Sequence, residues 1–185
     1  MTLLKYGNTN TFLINGLLID TDYAGTLGAF YKAIGNEGIK VSDLKYILAT
    51  HYHPDHCGLI GALQRQGVRL VLMNVQVDSV HFPDYIFQRD GIDYAPVDEK
   101  RALVVKCANS RDFLQTLGIQ GEIISTPSHS IDSVSIVLDS GDCVVGDLQR
   151  REYDPDEKDW KRVMSFHPKR IYYAHGPMAE VNPEY

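Results

Sequence analysis

The stretch Thr50–Gly58 reads THYHPDHCG and packs three histidines and an aspartate into six consecutive positions. It follows the apolar run Tyr46–Thr50 (YILAT), which predicts a buried strand that ends at the first histidine. Imidazole nitrogens and carboxylate oxygens are the ligands that zinc prefers, and iron and manganese accept the same groups. A histidine-rich loop hydrogen-bonded to the backbone is the alternative. So many ligand groups at one strand end favour a metal site.

The backbone around Pro54 determines how these groups can be used. Proline disfavours the helical conformation at His53, so the helical HExxH arrangement is excluded. In an extended chain His51 and His53 point the same way and can bind one ion together. Asp55 and His56 follow where the chain turns, and they can face a second ion beside the first.

Two catalytic ions need more than four ligands, and the rest of the chain offers three in similar settings. His129 lies in STPSHSIDS before a predicted hairpin, and His175 lies in YYAHGP at the end of an apolar strand. Asp147, in VVGDLQ, ends another buried strand, where a carboxylate needs a partner such as a metal. His81 and His167 lie in polar segments and are interpreted as substrate contacts or surface residues.

The two halves of the chain share one pattern, in which a hairpin ends in aspartate, a helix follows, and a strand ends in histidine. The pairs are Asp20 with His51 and Asp147 with His175. We therefore expect an α+β (mixed α/β) fold with two β-rich layers covered by helices and both histidines at one edge. The predicted elements are a hairpin over Thr9–Ile14 and Leu17–Asp20, a helix over Thr26–Asn36, strand Tyr46–Thr50, a helix over Gly58–Gln66, strand Val68–Met73, a hairpin over Ser133–Leu138 and Cys143–Gly146, a helix from Asp154 to about Ser165, and strand Arg170–Ala174.

The segment Asn74–Arg101 carries no clear periodicity and is interpreted as a long excursion, either a lid or a plain surface loop. Three of its aromatic residues are predicted either to line a pocket or to pack the excursion itself. They are Tyr85, Phe87 and Tyr94.

Composition narrows the class of protein. The chain has 185 residues, 44% hydrophobic and 23% charged, which suits a single domain over residues 1–185. Its net charge of −6 provides no basic field for nucleic acid or anionic membranes, so a small-molecule partner is expected. No signal peptide or membrane span is visible, which predicts a cytoplasmic protein. Cys57, Cys107 and Cys143 are widely spaced and predicted to be reduced thiols.

The set THYHPDHCG, TPSHS, VVGDL and YAHGP resembles the metallo-β-lactamase superfamily of binuclear metallohydrolases, and the resemblance extends from the NTFLI and LLIDTD hairpin to YAHGP. It implies an αββα sandwich of two mixed β-sheets with the metals at one edge. It also implies two divalent metal ions, with zinc expected and iron or manganese as alternatives. One ion is assigned to His51, His53 and His129, and the other to Asp55, His56 and His175, with Asp147 bridging and Asp20 as a structural aspartate.

The implied activity is hydrolysis by a metal-bridging hydroxide, because metal coordination lowers the pKa of water to about 7. Asp55 is the candidate proton shuttle. The chain ends ten residues after His175, which favours a compact hydrolase of a small ester, lactone or thioester. A phosphodiesterase of the same fold is an alternative.

Two further functions stay open. One is a mononuclear iron oxidoreductase resembling persulfide dioxygenases; His53 argues against the flavodiiron relatives, which have glutamate there. The other is a noncatalytic module that keeps metals for stability. Three positions depart from glycines that are frequent in the family, without removing a ligand. They are Asp22, Leu59 and Ser128.

Overall fold

The computed structural model describes residues 1–150, 153 and 158–181. Within these residues the chain forms a six-stranded and a five-stranded sheet, each mixing parallel and antiparallel neighbours. The first sheet has the order β1 (Thr2–Leu4), β2 (Thr11–Ile14), β3 (Leu17–Ile19), β4 (Tyr46–Leu48), β5 (Arg69–Met73) and β6 (Leu103–Val105). The second contains β7 (Gly121–Ser125), β8 (Val134–Leu138), β9 (Asp142–Val144), β10 (Arg170–Tyr172) and β11 (Ala179–Glu180) in the reverse order.

Helices lie between the strands in sequence. Their bounds are α1 (Leu27–Asn36), α2 (Pro54–Cys57), α3 (Ile60–Gln64), α4 (Phe82–Arg89), α5 (Ser110–Gln115) and α6 (Lys158–Met164), with short 3-10 turns at Val41–Asp43, Glu99–Arg101 and Cys107–Asn109. Over the part of the chain that the structure describes, none of the helices combines the length and the hydropathy that crossing a bilayer requires.

Alternate residues of the strands enter different apolar clusters. In β4, Ile47 packs with α1 and α3, while Leu48 packs between the two sheets. In β8, Ile136 joins the cluster between the sheets, and Val137 joins the cluster under α6. Successive strand residues point to opposite faces, so both faces of each sheet are covered. This is the αββα sandwich predicted from the sequence.

Most of the predicted elements are confirmed within one to three residues at each end. The β2–β3 turn has positive φ at Asn15 (47°) and Gly16 (84°), the conformation of a tight primed turn. The helix predicted over Gly58–Gln66 is present as α3, and a further short helix that was not predicted, α2, precedes it because the chain turns helical directly after Pro54. The predicted N-terminus of α6, at residues 154–157, lies outside the described residues.

The segment Asn74–Arg101, interpreted as a long excursion that is either a lid or a plain surface loop, is not a plain loop throughout, because it contains α4. Only Pro83 and Phe87 of this helix are buried, so its apolar periodicity is too sparse to stand out in the sequence. The segment packs on the domain: Gln64 exchanges two hydrogen bonds of 2.9 Å with the backbone of Asp98. Asn74–Arg101 therefore forms a covering segment, which specific contacts hold against the rest of the domain.

The two sheets are joined at one edge by backbone hydrogen bonds. The amide of Val134 donates to the carbonyl of Thr50 (2.8 Å), and the amide of Asn10 donates to the carbonyl of Ala174 (2.8 Å). Gly146 lies at the same edge with φ of +58°, and a Cβ there would be 2.5 Å from Thr50 Oγ1. Close approach of the strand ends at this edge therefore requires glycine.

Gly58, the last residue of THYHPDHCG, is expected to be intolerant of a side chain. A Cβ there would lie 2.3 Å from the backbone nitrogen of Ala24 and 2.6 Å from the carbonyl oxygen of Asp22. Backbone atoms cannot move aside cheaply, so Gly58→Ala is predicted to lower the free energy of unfolding by about 1–3 kcal/mol or more. Urea denaturation measures it. Gly28→Ala on α1, where nothing lies within 4 Å, is the control and should not destabilise; equal effects would contradict the steric argument.

Candidate metal centre

The seven residues predicted as ligands come together where the two sheets meet. His51 and His53 follow β4, His129 lies between β7 and β8, and Asp147 and His175 follow β9 and β10. Asp55 and His56 are in α2, which begins at Pro54. His53 precedes that helix with φ −76° and ψ 151°, the extended conformation expected before proline.

The side chains form three overlapping groups. In each group the nitrogen or oxygen atoms that could ligate a metal lie within 4.8 Å of one another. The groups are His51, His53 and His129; His51, His56 and Asp147; and Asp55, His56 and His175. The first and last coincide with the two ligand sets expected from the sequence, and the middle one lies between them.

Asp147 faces histidines of both sets. Its Oδ2 is 3.3 Å from His56 Nε2, 3.7 Å from His129 Nε2 and 4.0 Å from His51 Nε2, and its Oδ1 is 3.4 Å from His175 Nε2. This is the position that a carboxylate shared by two cations would need.

Hydrogen bonds at the outer nitrogens orient the rings. His56 Nδ1 donates to Asp20 Oδ2 at 3.0 Å, and His175 Nδ1 donates to the carbonyl of Asn8 at 3.1 Å. Each bond requires the proton on Nδ1, so Nε2 is left to face the cluster. Holding a ligand ring by its outer nitrogen is typical of protein metal sites.

The protonation states of the metal-free cluster follow from burial and charge. Burial, reinforced by His56 and His53, lowers the pKa of His51 to about 2, and burial also lowers the pKa of His129. Burial opposes the charged form of His56, but the carboxylates of Asp20 and Asp147 outweigh it and raise its pKa to about 10. Two of these rings are therefore neutral and able to ligate, whereas His56 must release a proton when a cation binds.

The cluster contains buried polar atoms without partners. Among the described residues, Nε2 of His51, Nε2 of His56 and Oδ1 of Asp147 are buried and make no hydrogen bond. Orphaned buried polar atoms are costly in a folded protein. All three point to the cluster and belong to residue types that bind zinc, iron or manganese, so the residues present fit a divalent metal.

Two buried carboxylates that sequence reasoning missed support the loops. Asp132 accepts hydrogen bonds from the amide of Tyr52, between His51 and His53 (2.7 Å), and from Ser130 Oγ, beside His129. Asp159 of α6 accepts from the amide (2.6 Å) and Oγ (2.5 Å) of Ser128. Ser128, at a position where glycine is frequent in the family, therefore adds a side-chain hydrogen bond that helps to fix the loop carrying His129. Asp132, in SHSIDS before a buried strand, could have been suspected from its setting.

The other departure near the site, Asp22, is buried and accepts hydrogen bonds from the amides of Thr9 (3.0 Å) and Tyr23 (2.6 Å). It fixes the loop whose neighbouring carbonyl, that of Asn8, orients His175. Asp22 therefore supports the site from outside it.

The remaining predicted candidates lie elsewhere. His81 is half exposed and pairs with Asp84 (2.9 Å) and Glu99 (3.2 Å), and His167 is exposed. All three cysteines are free thiols; Cys57 and Cys143 are buried, and Cys107 is partly buried.

Among the aromatic residues, Phe87 is fully buried and stacks on Tyr94 (ring centroids 4.4 Å apart), so they pack the covering segment, and Tyr85 is exposed. Within the segment Asn74–Arg101, an aromatic residue beside the cluster is Phe82, whose ring centroid is 5.7 Å from that of His53. Sequence reasoning did not select Phe82.

The fold and the cluster define a class: αββα sandwiches with a histidine-rich metal site at the edge where their sheets meet. The profile of the Metallo-beta-lactamase superfamily matches residues 4–175, and the chain belongs to this superfamily.

Individual relatives are distant. The "Beta-lactamase-like protein 2 homolog" of Drosophila melanogaster is 27% identical over 93% of this chain and 60% of its own length. The Synechocystis protein named diflavin flavoprotein A 2 is 28% identical over 75% of this chain and 22% of its own length. TTHA1623, solved in a di-iron-bound form, superposes with a TM-score of 0.68 at 21% identity, covering 96% of this chain and 95% of that one. The chain thus spans about 60% of the fly relative, and the likeness to TTHA1623 shows the fold.

Asp132→Ala is predicted to loosen the junction of the two histidine loops. It leaves the buried Tyr52 amide without its acceptor, so the free energy of unfolding should fall by about 1–3 kcal/mol. Metal affinity, measured by competition with a chromogenic chelator, should fall about ten- to a hundredfold, as is typical for groups that support ligands. Asp132→Asn keeps an acceptor oxygen and should lose less stability and less metal affinity than Asp132→Ala. Unchanged affinity in the alanine variant would contradict this role.

Proposed function

We propose that this protein is a metal-dependent hydrolase that acts on a small ester, lactone or thioester. The proposed ligands of one divalent ion are His51, His53 and His129. Those of a second ion are Asp55, His56 and His175, with Asp147 shared. Zinc is the metal we propose for both positions.

The observation that carries this proposal is the position of Asp147 between two candidate ligand groups, with buried nitrogens of His51 and His56 that make no hydrogen bond. A structural zinc site is normally a closed set of four ligands. Two three-residue groups sharing a carboxylate leave coordination positions open for water and substrate, which favours catalysis over a purely structural role.

Bound at these positions, two divalent ions would supply Lewis acidity and lower the pKa of a water molecule. The chain contributes orientation and proton transfer. Asp55 Oδ2 is 3.0 Å from His175 Nε2, and its side chain is 35% exposed, compared with 16% for Asp147. Among the carboxylates of the cluster, Asp55 therefore has the better access to solvent, which supports its assignment as the group that exchanges protons with bulk water.

A redox function of the same cluster is the second candidate, and the specific observation that favours it is the di-iron form of TTHA1623. Histidine and carboxylate ligands accept iron as readily as zinc, so the residues alone do not choose between the two metals. The number and identity of the ions and the consumption of oxygen distinguish the candidates.

The test is elemental analysis of protein purified without added metal, combined with hydrolysis of a panel of nitrophenyl esters, a lactone, a thioester and bis-(4-nitrophenyl) phosphate. We expect two equivalents of zinc and ester, lactone or thioester turnover that Asp55→Ala strongly reduces while the circular dichroism spectrum is unchanged. One or two equivalents of iron with oxygen consumption would overturn the hydrolase proposal. Phosphodiester turnover alone would move the substrate class to phosphodiesters.

A further inference from the structure

A cavity of about 220 Å³ opens beside the candidate metal centre. Three of the proposed ligands line it, namely His129, Asp147 and His175, together with Arg150 and Tyr173, which belong to neither ligand group. A molecule whose reacting bond lies at the ligands would extend into this cavity, where Arg150 lies on the wall.

Arg150 is held in place by an aromatic platform. Its guanidinium carbon lies 5.3 Å from the ring centroid of Tyr173, in the cation–π range. Tyr173 is buried in the apolar cluster under α6, beside Trp160, so the platform is rigid. A Cβ on Gly176 would be 3.8 Å from Arg150 Nη2, so the guanidinium lies next to the residue that follows His175.

Among the described residues, 1–150, 153 and 158–181, no carboxylate forms an ion pair with the guanidinium of Arg150. Two other arginines do have such partners: Arg111 pairs with Asp139 (2.9 Å) and Arg170 with Asp142 (2.6 Å). In a chain of net charge −6, an arginine that faces a cavity and has no acidic partner in the described part of the chain is positioned to bind an anionic group. The planar fork of the guanidinium matches the paired oxygens of a carboxylate or a phosphate.

We propose that Arg150 binds an anionic group of the substrate, a carboxylate or phosphate carried a few bonds from the ester that is cleaved. The substrate is then an anionic ester, lactone or thioester, and Arg150 sets the preference for it over a neutral analogue. This inference rests on the proposed hydrolytic function for its kinetic consequences, but not for the binding of the anion itself.

The kinetic test compares 4-nitrophenyl hydrogen succinate with the neutral 4-nitrophenyl butyrate, which has an acyl chain of similar length. We expect the metal-loaded protein to show a higher kcat/KM for the succinate ester. Arg150→Gln should lower kcat/KM for that ester about ten- to a hundredfold, the usual effect of losing a hydrogen bond to a charged group, and change the butyrate ester less than twofold. Arg150→Lys keeps the charge but not the planar fork, so its kcat/KM for the succinate ester should lie between those of the unmodified protein and Arg150→Gln.

Arg65→Gln is the matched control. Arg65 is an exposed arginine at the end of α3, also without a carboxylate partner among the described residues, and it lines neither of the cavities beside the ligands. It should leave the preference for the succinate ester unchanged. A second control, Phe82→Ala, alters the separate cavity of about 170 Å³ beside His53 and should affect both esters equally.

A binding measurement separates this inference from the hydrolase proposal. Isothermal titration of the metal-loaded protein with succinate, with inorganic phosphate and with neutral succinamide should show anion binding that Arg150→Gln weakens at least tenfold. Whichever of succinate and inorganic phosphate binds more tightly identifies the anionic group that Arg150 prefers. If neither ester is hydrolysed but this dependence persists, the hydrolase proposal fails and the anion site stands. If Arg150→Gln lowers both esters equally, or leaves anion binding unchanged, the anion site is overturned.

Discussion

Asp147→Asn is expected to lower kcat/KM for ester hydrolysis at least about a thousandfold, a loss of about 4 kcal/mol in transition-state stabilisation. The carboxylate faces four histidine nitrogens at 3.3–4.0 Å and belongs to the group that lies between the two ligand sets. Asparagine keeps the shape but removes the negative charge and one of the two strong donor oxygens. We therefore expect loss of one metal equivalent together with the loss of rate.

The measurement combines steady-state kinetics with the metal content of each purified variant. Asp142→Asn is the matched control, since Asp142 begins β9, the strand that Asp147 follows, and forms an ion pair with the exposed Arg170 (2.6 Å). Such a pair contributes little to stability, so its loss should change kcat/KM less than twofold. An Asp147→Asn variant that retained two ions and most of its activity would remove Asp147 from the shared position.

Local rules were enough to select the candidate ligands that the fold brings together, because each lies at a point that the chain's own chemistry defines. Strand periodicity places His51 and His53 on one side, and Pro54 separates that extended pair from the helix that carries Asp55 and His56. The glycines around the strand ends, such as Gly146, mark where backbones must approach closely. All of these signals act within a few residues, so a single sequence contains them.

Residues that act across large separations escaped prediction for the opposite reason. Asp132 matters because its carboxylate reaches Tyr52, 80 positions away, and Asp159 because it reaches Ser128, 31 positions away. The role proposed for Arg150 depends on Tyr173, which follows β10 and lies beneath the guanidinium. Apart from the position of Asp132 just before a buried strand, nothing in the local sequence of these residues distinguishes them from surface charges. Only the packing of the two sheets reveals them.

Asp20→Ala is expected to be the most destabilising carboxylate substitution near the site. Asp20 is fully buried, and it accepts hydrogen bonds from the amide of Thr50 (2.6 Å), from Thr50 Oγ1 (2.9 Å) and from His56 Nδ1 (3.0 Å). Alanine leaves the Thr50 amide without its acceptor and removes the carboxylate that pairs with His56 Nδ1 in the interior. Breaking a buried charged pair in this way costs about 3–5 kcal/mol, which urea denaturation would register as a large fall in the midpoint.

The same substitution should also weaken the proposed Asp55–His56–His175 site, and this distinguishes a structural aspartate from an ordinary buried polar group. Without Asp20, His56 Nδ1 loses the acceptor that fixes its proton and aims Nε2 at Asp147, so metal affinity there should fall about ten- to a hundredfold. Ser110→Ala is the control: Ser110 is equally buried and hydrogen-bonds to Cys107 and Ile123, but contacts no proposed ligand. The Ser110→Ala variant should be less stable than the unmodified protein and should keep its metal affinity. If both variants bound metal like the unmodified protein, Asp20 would support the fold alone, and the orientation of His56 would have to come from Asp147 and the turn at Pro54.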